Sequence, residues 1–172
     1  MQQLAVRLAR GEEAAFAELY DACADRLHHY LTASLGSRDA ASDVLQTAFL
    51  RAVKSRRRFR GVENPVAYLF QIARNEAMRW GKQRRGNDRP LAAVEIIATN
   101  EDAFGQRDDV EVVATALGRL TAEDRELVEL KVFAGLTIRE IADVTGMPQG
   151  TVATRFRRAL ESLRPWLTKQ LR

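Results

Sequence analysis

The chain has 172 residues, 46% of them hydrophobic and 29% charged. That is the composition of a globular protein, and the length suits one ordinary domain or two small ones. A single cysteine, Cys23, excludes an intrachain disulfide, and no apolar run approaches the roughly 18 residues of a membrane-spanning helix. The stretch Met1–Arg7 lacks the hydrophobic run of a signal peptide, so the chain is expected to stay in a reducing cytoplasm.

The formal net charge is +4, unevenly placed. Residues 51–85 hold 11 Lys and Arg against 2 acidic residues, residues 86–110 hold 2 against 6, and residues 146–172 hold 6 against 1. Two basic blocks thus flank an acidic one. Such segregation points to a polyanion touched at two places, although either block alone reads better as a solvated helix face.

Nearly every segment reads as helix. Phe16, Leu19, Tyr20, Cys23, Leu27 and Leu31 fall at 3.6-residue spacing, with Gly36 as the C-cap and Cys23 on the apolar stripe as a packed thiol. His28 and His29 are adjacent and have no other histidine for company, so no metal site is expected. A second helix starts at the cap Ser37, with its stripe at Val44-Leu45, Ala48-Phe49 and Ala52-Val53. A basic loop, Arg56–Glu63, holds one aromatic, Phe59. A third helix begins at the favoured Ncap–N1 pair Asn64-Pro65, carries Leu69, Ile72-Ala73 and Trp80, and ends before Gly81.

Residues 86–110 change character. Gly86, Pro90 and Gly105 interrupt the pattern and acidic residues dominate, so the segment reads as a linker, with Leu91–Ile97 as an apolar run able to dock. Beyond it, Thr121 precedes Asp124 and Thr137 precedes Glu140 at capping-box spacing. These caps predict helices near 122–133 and 138–144, a turn through Gly146 and Pro148, and a last helix from Thr151.

Residues Leu136–Arg158 read as a helix-turn-helix. The last helix packs Val152, Phe156, Ala159 and Leu163 inward, leaving Thr154, Arg157 and Arg158 on the opposite face with Ala153 and Arg155 on its flanks. Small residues and arginines there suit the major groove of duplex DNA, where Arg reaches guanine bidentately. A three-helix bundle with a solvated basic face is the competing reading. The first basic block differs in kind, because Phe59, Tyr68, Phe70 and Trp80 are interleaved with cations. That mixture suits single-stranded nucleic acid, with at least two of the four aromatics assigned to the core and Phe59, in its loop, best placed to meet a base. No phosphate loop, nucleophile elbow or HExxH motif occurs, and no catalytic constellation is recognisable.

These residues resemble the extracytoplasmic-function sigma factors, two-domain bacterial initiation factors of the sigma-70 superfamily. The N-terminal match runs through Asp43–Ala52, Phe59-Arg60-Gly61 and Pro65–Asn75 to Arg84-Arg85. The C-terminal match runs through Gly135–Ala142, Gly146–Val152, Arg155 and Arg158–Leu160. The resemblance implies an all-α fold of two small helical domains, residues 1–85 and 111–172, joined by the linker 86–110.

It also implies roles. Asp43, Gln46, Phe49, Leu50 and Arg51 would dock on core RNA polymerase. Arg58, Phe59, Arg60 and Asn75 would capture a flipped base of the −10 element, and Thr151, Ala153, Thr154, Arg155, Arg157 and Arg158 would read the −35 duplex. The partners implied are core polymerase, promoter DNA and an anti-sigma factor, with no cofactor, metal or enzymatic activity. The linker would run through the RNA exit region. Five positions depart from the family pattern: Thr47 for an acidic residue, Arg79 for Asp, Thr121 for Pro, and Ala153-Thr154 for a Lys/Arg-Ser pair. With the chain ending at Arg172, no appended sensory domain is expected. The competing function is a helix-turn-helix regulator that binds duplex without joining the polymerase, against which the first basic aromatic block argues. A helical enzyme, the third class, lacks a catalytic set.

Overall fold

A computed structural model describes residues 2–84 and 115–170. The expectations placed on residues 86–110 lie outside the described residues. The elements are α1 (Gln2–Arg10), α2 (Glu13–Leu35), α3 (Arg38–Lys54), a 3-10 helix (Arg56–Phe59), α4 (Pro65–Arg84), α5 (Ala122–Val132), α6 (Ile138–Thr145) and α7 (Gln149–Gln170). Among the described residues no strand forms, and no helix is long and apolar enough to cross a membrane. The all-α expectation is met.

Local chemistry sets the boundaries. Gly36 ends α2 at φ 74°, a left-handed conformation that costs other residues a steric penalty, and its N–H donates to Thr32 O at 3.0 Å. Ser37 then caps α3 by accepting from the Ala40 N–H. Asn64 accepts from the Ala67 N–H at 3.1 Å ahead of Pro65. Thr121 caps α5, and Thr137 with Glu140 forms a reciprocal capping box on α6. Three segments differ from the sequence reading. Residues Gln2–Arg10 form a helix of their own, Leu4 and Leu8 being buried. The α4 helix continues through Gly81 to Arg84, since one glycine costs only about 1 kcal/mol in a helix. The last helix starts at Gln149 rather than Thr151, directly after Pro148.

The core joins both halves of the chain. Leu19, Leu27 and Leu31 of α2, Val44 and Ala48 of α3, and Leu69, Phe70 and Ala73 of α4 form one end. Leu127, Leu130, Leu136, Ile141 and Val152 continue the same cluster into the C-terminal part. A second, smaller cluster gathers Ala116, Leu117, Val128, Ala159 and Leu163. Cys23 is buried, its Sγ–H donating to Leu19 O at 3.0 Å. Burial pushes the thiol up to about 12. It is a packing residue, as its place on the α2 stripe predicts.

The two parts meet directly. Arg74 on α4 donates to Glu126 on α5 through Nε at 2.7 Å and Nη2 at 2.8 Å, a bidentate pair. Tyr30, fully buried, has its hydroxyl 3.5 Å from the same carboxylate. Burial, then the Glu126 and Glu129 charges, push the Tyr30 phenol well above its ordinary value. Arg26 donates to Ala134 O at 2.7 Å, and Asn64 donates to Glu140 at 3.1 Å.

Candidate nucleic-acid and polymerase interfaces

Three surfaces carry the predicted residues. On α7, Val152, Ala159 and Leu163 are buried and Phe156 half-buried, all on the inward face. Thr151, Ala153, Thr154, Arg157 and Arg158 are exposed, as the periodicity predicts. The turn before α7 is made by Gly146 at φ 73°, and the α6 residue Ile141 is fully buried beneath it. Arg157 has only a loose contact, 3.9 Å to Glu161, with both side chains about 70% exposed; such a pair contributes little. Arg155 differs. Its guanidinium donates from Nε to Asp124 at 2.7 Å and from Nη1 to Glu123, both on α5, and its side chain is 25% exposed.

The second surface lies at the 3-10 helix and α4. Arg58, Arg60 and Asn75 are exposed. Phe59 is not, and its expected role is corrected here. It ends a 3-10 helix instead of sitting in an open loop, its relative exposure is 0%, and it is packed edge-on against Phe16 and Tyr68 with ring centroids 6.1 and 5.1 Å away. Aromatic rings in T-shaped contact gain from each other what a base would otherwise supply. In this conformation Phe59 is a core plug and has no face for a base. Phe70 is likewise fully buried, while Tyr68 and Trp80 are half-buried. The flanking cations keep the surface basic: Arg56 and Arg57 are exposed beside Arg58.

The third surface is a groove of about 540 Å³ between α2 and α3. Tyr20, His28, Gln46, Phe49, Leu50 and Val53 line it. The Tyr20 and Phe49 rings touch at a tilt of 50° with centroids 5.0 Å apart, yet Tyr20, Leu50 and Val53 remain 42–54% exposed. Burial, with the neighbouring charges of His29 and Arg38, holds His28 below its ordinary value, so it faces the groove neutral at pH 7. The structure brings Gln46, Phe49 and Leu50 together here, with Asp43 exposed on the same helix. Arg51 belongs elsewhere. It is roughly 100–140° around α3 from Gln46 and Leu50, and its Nε lies 3.0 Å from buried Glu76 on α4. Glu76 also accepts from Arg79 at 2.9 Å, so the Arg79 departure joins a small ion cluster. Sequence reasoning missed Tyr20, His28 and Val53. The α2 stripe was read as core alone, and a helix with two apolar stripes was the available signal.

Among the described residues, no group of three or more His, Cys, Asp and Glu is placed to hold a metal ion.

Comparison with known proteins places the chain in one lineage. Residues 19–86 match the sigma-70 region 2 family and residues 111–163 match sigma-70 region 4. The chain is 32% identical over 161 residues to the ECF RNA polymerase sigma factor RpoE of Cereibacter sphaeroides, covering 89% of this chain and 86% of that one. It is 30% identical over 169 residues to the ECF sigma factor BldN of Streptomyces coelicolor, covering 95% of this chain but only 64% of BldN. The fold is that of the solved complex of CnrH with the cytosolic domain of CnrY, with a TM-score of 0.73, 24% identity and coverage of 98% and 97%. The chain belongs to the extracytoplasmic-function sigma factors of the sigma-70 superfamily.

Proposed function

We propose a division of labour among the three surfaces of this sigma factor, which binds core RNA polymerase and directs promoter-specific initiation. Thr154, Arg157 and Arg158 on α7 meet base edges and phosphates of the −35 duplex, with Thr151 and Ala153 at the margin. Arg58, Arg60 and Asn75 hold the −10 single strand, the arginines at phosphates and the Asn75 amide, both donor and acceptor, at a base edge. The α2–α3 groove, with Asp43 on its rim, takes the polymerase, and an anti-sigma factor would compete for the same apolar surface. The protein contributes recognition and no chemistry of its own, acting in the bacterial cytoplasm where its polymerase works.

The observation that carries this reading is the split of α7. Its inward stripe is buried while Thr154, Arg157 and Arg158 stand exposed on the second helix of a helix-turn-helix. The region 2 match over residues 19–86, with its exposed groove and basic edge, sets aside the duplex-only regulator. The test is transcription by sigma-free core polymerase supplied with this chain and genomic fragments. Discrete promoter-dependent transcripts are expected. Arg158→Ala should weaken selection at a −35 base pair, a bidentate contact contributing about 1–3 kcal/mol. Tight binding to a duplex site together with no association with core would overturn the reading in favour of the regulator.

A further inference from the structure

We propose that Arg155 is a positioning residue of the duplex reader: it pins the reading end of α7 to the capped first turn of α5 and makes no base contact itself. The inference deepens, and rests on, the reading of α7 as the −35 helix.

Three observations meet at this side chain. Its place on the helix comes first. Relative to the Val152–Ala159–Leu163 stripe, Thr154 and Arg158 lie roughly 120–160° away, whereas Arg155 lies only about 60° away, near the seam with α5. Its partners come second. The guanidinium engages two carboxylates at once, Asp124 at 2.7 Å and Glu123, and is 25% exposed where Arg157 is 72% exposed. A base edge offers only neutral acceptors, whereas each carboxylate adds the attraction of a full opposite charge. Reaching a base edge would mean exchanging two charged partners for neutral ones.

The third observation is that Asp124 is itself fixed. Its carboxylate accepts from the Thr121 hydroxyl at 2.9 Å, and its backbone N–H donates to that same oxygen at 3.2 Å. Burial opposes its ionisation, but the hydrogen bonds from Arg155 and Thr121 outweigh this and hold the carboxyl below its usual range. Thr121, Asp124 and Arg155 thus form a relay from the α5 cap to α7. The other α5–α7 anchor is apolar, Val128 against Ala159 and Leu163, roughly 6–12 Å further along α7. Two anchors fix the direction of a rod. Without the polar one, the end that carries Thr154, Arg157 and Arg158 rests on the apolar packing of Val152 and Phe156.

The test uses the full chain and a randomised duplex library. The duplex that the wild type selects, all its single-base variants and a random duplex are then titrated at several salt concentrations. The variants are Arg155→Ala, Asp124→Asn, their double mutant and Arg155→Lys, with Arg157→Ala and Arg158→Ala as controls. Circular dichroism checks the fold of each.

A positioning role predicts that Arg155→Ala and Asp124→Asn each flatten the preference at several base pairs, by roughly tenfold in total. The double mutant should be no worse than either alone, since the two act through one contact. The salt slope should not change, and Arg155→Lys, which keeps one charged contact, should retain part of the selectivity. If Arg155→Ala relaxes a single base pair, or lowers the salt slope by about one, while Asp124→Asn is silent, Arg155 touches DNA and the proposal falls. If both variants lose thermal stability with selectivity intact, the pair is merely structural and the proposal also falls. If the wild type selects no duplex, or Arg157→Ala and Arg158→Ala are both silent, the −35 reading of α7 is itself wrong and takes the inference with it.

Discussion

Replacing Glu126 by Gln probes the contact between the two parts of the chain. Glu126 is the acceptor of the bidentate Arg74 pair and lies nearest the buried Tyr30 hydroxyl. The two side chains are 21% and 20% exposed, so they are neither solvent-screened surface groups nor fully dry. Two unit charges 4 Å apart attract by about 4 kcal/mol at an effective dielectric of 20. Removing one member of a buried pair costs about 3–5 kcal/mol. Gln keeps one acceptor for Arg74, and the exposed fifth of each side chain lets water share the load, which brings the expected cost to about 2 kcal/mol. For a chain of this size that is roughly a 4–8 °C fall in melting temperature. The loss should fall on the contact between the parts and spare the helices. Helicity is therefore expected to hold while the radius of gyration in small-angle scattering rises above the value of about 16 Å for a compact chain of this length. Glu63→Gln is the control. Its partner Arg139 is 3.3 Å away with both side chains more than 70% exposed, so it should shift stability by no more than about 0.5 kcal/mol. Unchanged melting and unchanged scattering for Glu126→Gln would refute the argument that this pair holds the parts together.

Phe59→Ala should lower stability by about 3–5 kcal/mol, the usual cost of emptying a core aromatic site; a full retention of melting temperature with a defect only in promoter opening would restore Phe59 as a base-stacking residue. Gln46→Ala with Leu50→Ala, both exposed at the α2–α3 groove, should weaken binding to core polymerase with melting changed by little, and normal binding would place docking elsewhere. Asp124 and Glu140 are held below their ordinary values of 3.8 and 4.5, hydrogen bonds from Arg155 and from Thr137 outweighing burial. Their stabilisation is present above those unfolded values and is lost as pH falls through the lower folded ones. Acid titration of unfolding should therefore show a loss below about pH 4 that Asp124→Asn flattens, and an unaltered acid limb in that variant would count against the ion pair. Glu129 acts in the opposite sense: burial raises it, so its contribution worsens as pH rises above its ordinary 4.5.

Much of the fold is legible in the sequence because its signals are local. Gly36, Ser37, Asn64-Pro65, Thr121, Thr137 and Gly146 announce helix ends through chemistry that acts within four residues, and each is found at a helix boundary. The inward stripe of α7 follows from its 3.6-residue period in the same way. What periodicity does not carry is the partner of a polar side chain. Arg51, Arg155 and Arg58 look alike in sequence, yet Arg51 pairs with Glu76 and Arg155 with Glu123 and Asp124, contacts that span 25 to 32 positions. Phe59 shows the same limit. Flanked by arginines it reads as a loop aromatic, but Phe16 and Tyr68 close around it from two other helices. The groove was half legible, since α3 showed Gln46, Phe49 and Leu50 while α2, carrying a core stripe and a groove stripe together, showed only the former.

The closed arrangement also bears on how one short chain addresses two promoter elements. By their names the −10 and −35 elements are separated by about 25 base pairs, or roughly 85 Å of straight duplex at about 3.4 Å each. A compact chain of this length is only about 40 Å across. Here α4 and α5 are bound to each other through Arg74 and Glu126, and α4 and α6 meet through Asn64 and Glu140. Under the proposed division of labour, −10 capture by α4 and −35 reading by α7 on one straight promoter require this contact to separate. Something must bind the separated form more tightly than the closed one, by at least the free energy of the contact. Under the same reading core polymerase would be that partner, with part of its binding energy spent on opening. Glu126→Gln weakens the closed form by about 2 kcal/mol, so its apparent affinity for core should rise by up to about thirtyfold, the full factor appearing only if the wild type is almost entirely closed. An unchanged affinity, with the expected loss of compactness, would mean that opening is not linked to polymerase binding. A weakened affinity would mean that the Arg74–Glu126 contact persists on the enzyme, and that the two DNA-reading surfaces reach their elements by bending the promoter around a closed chain.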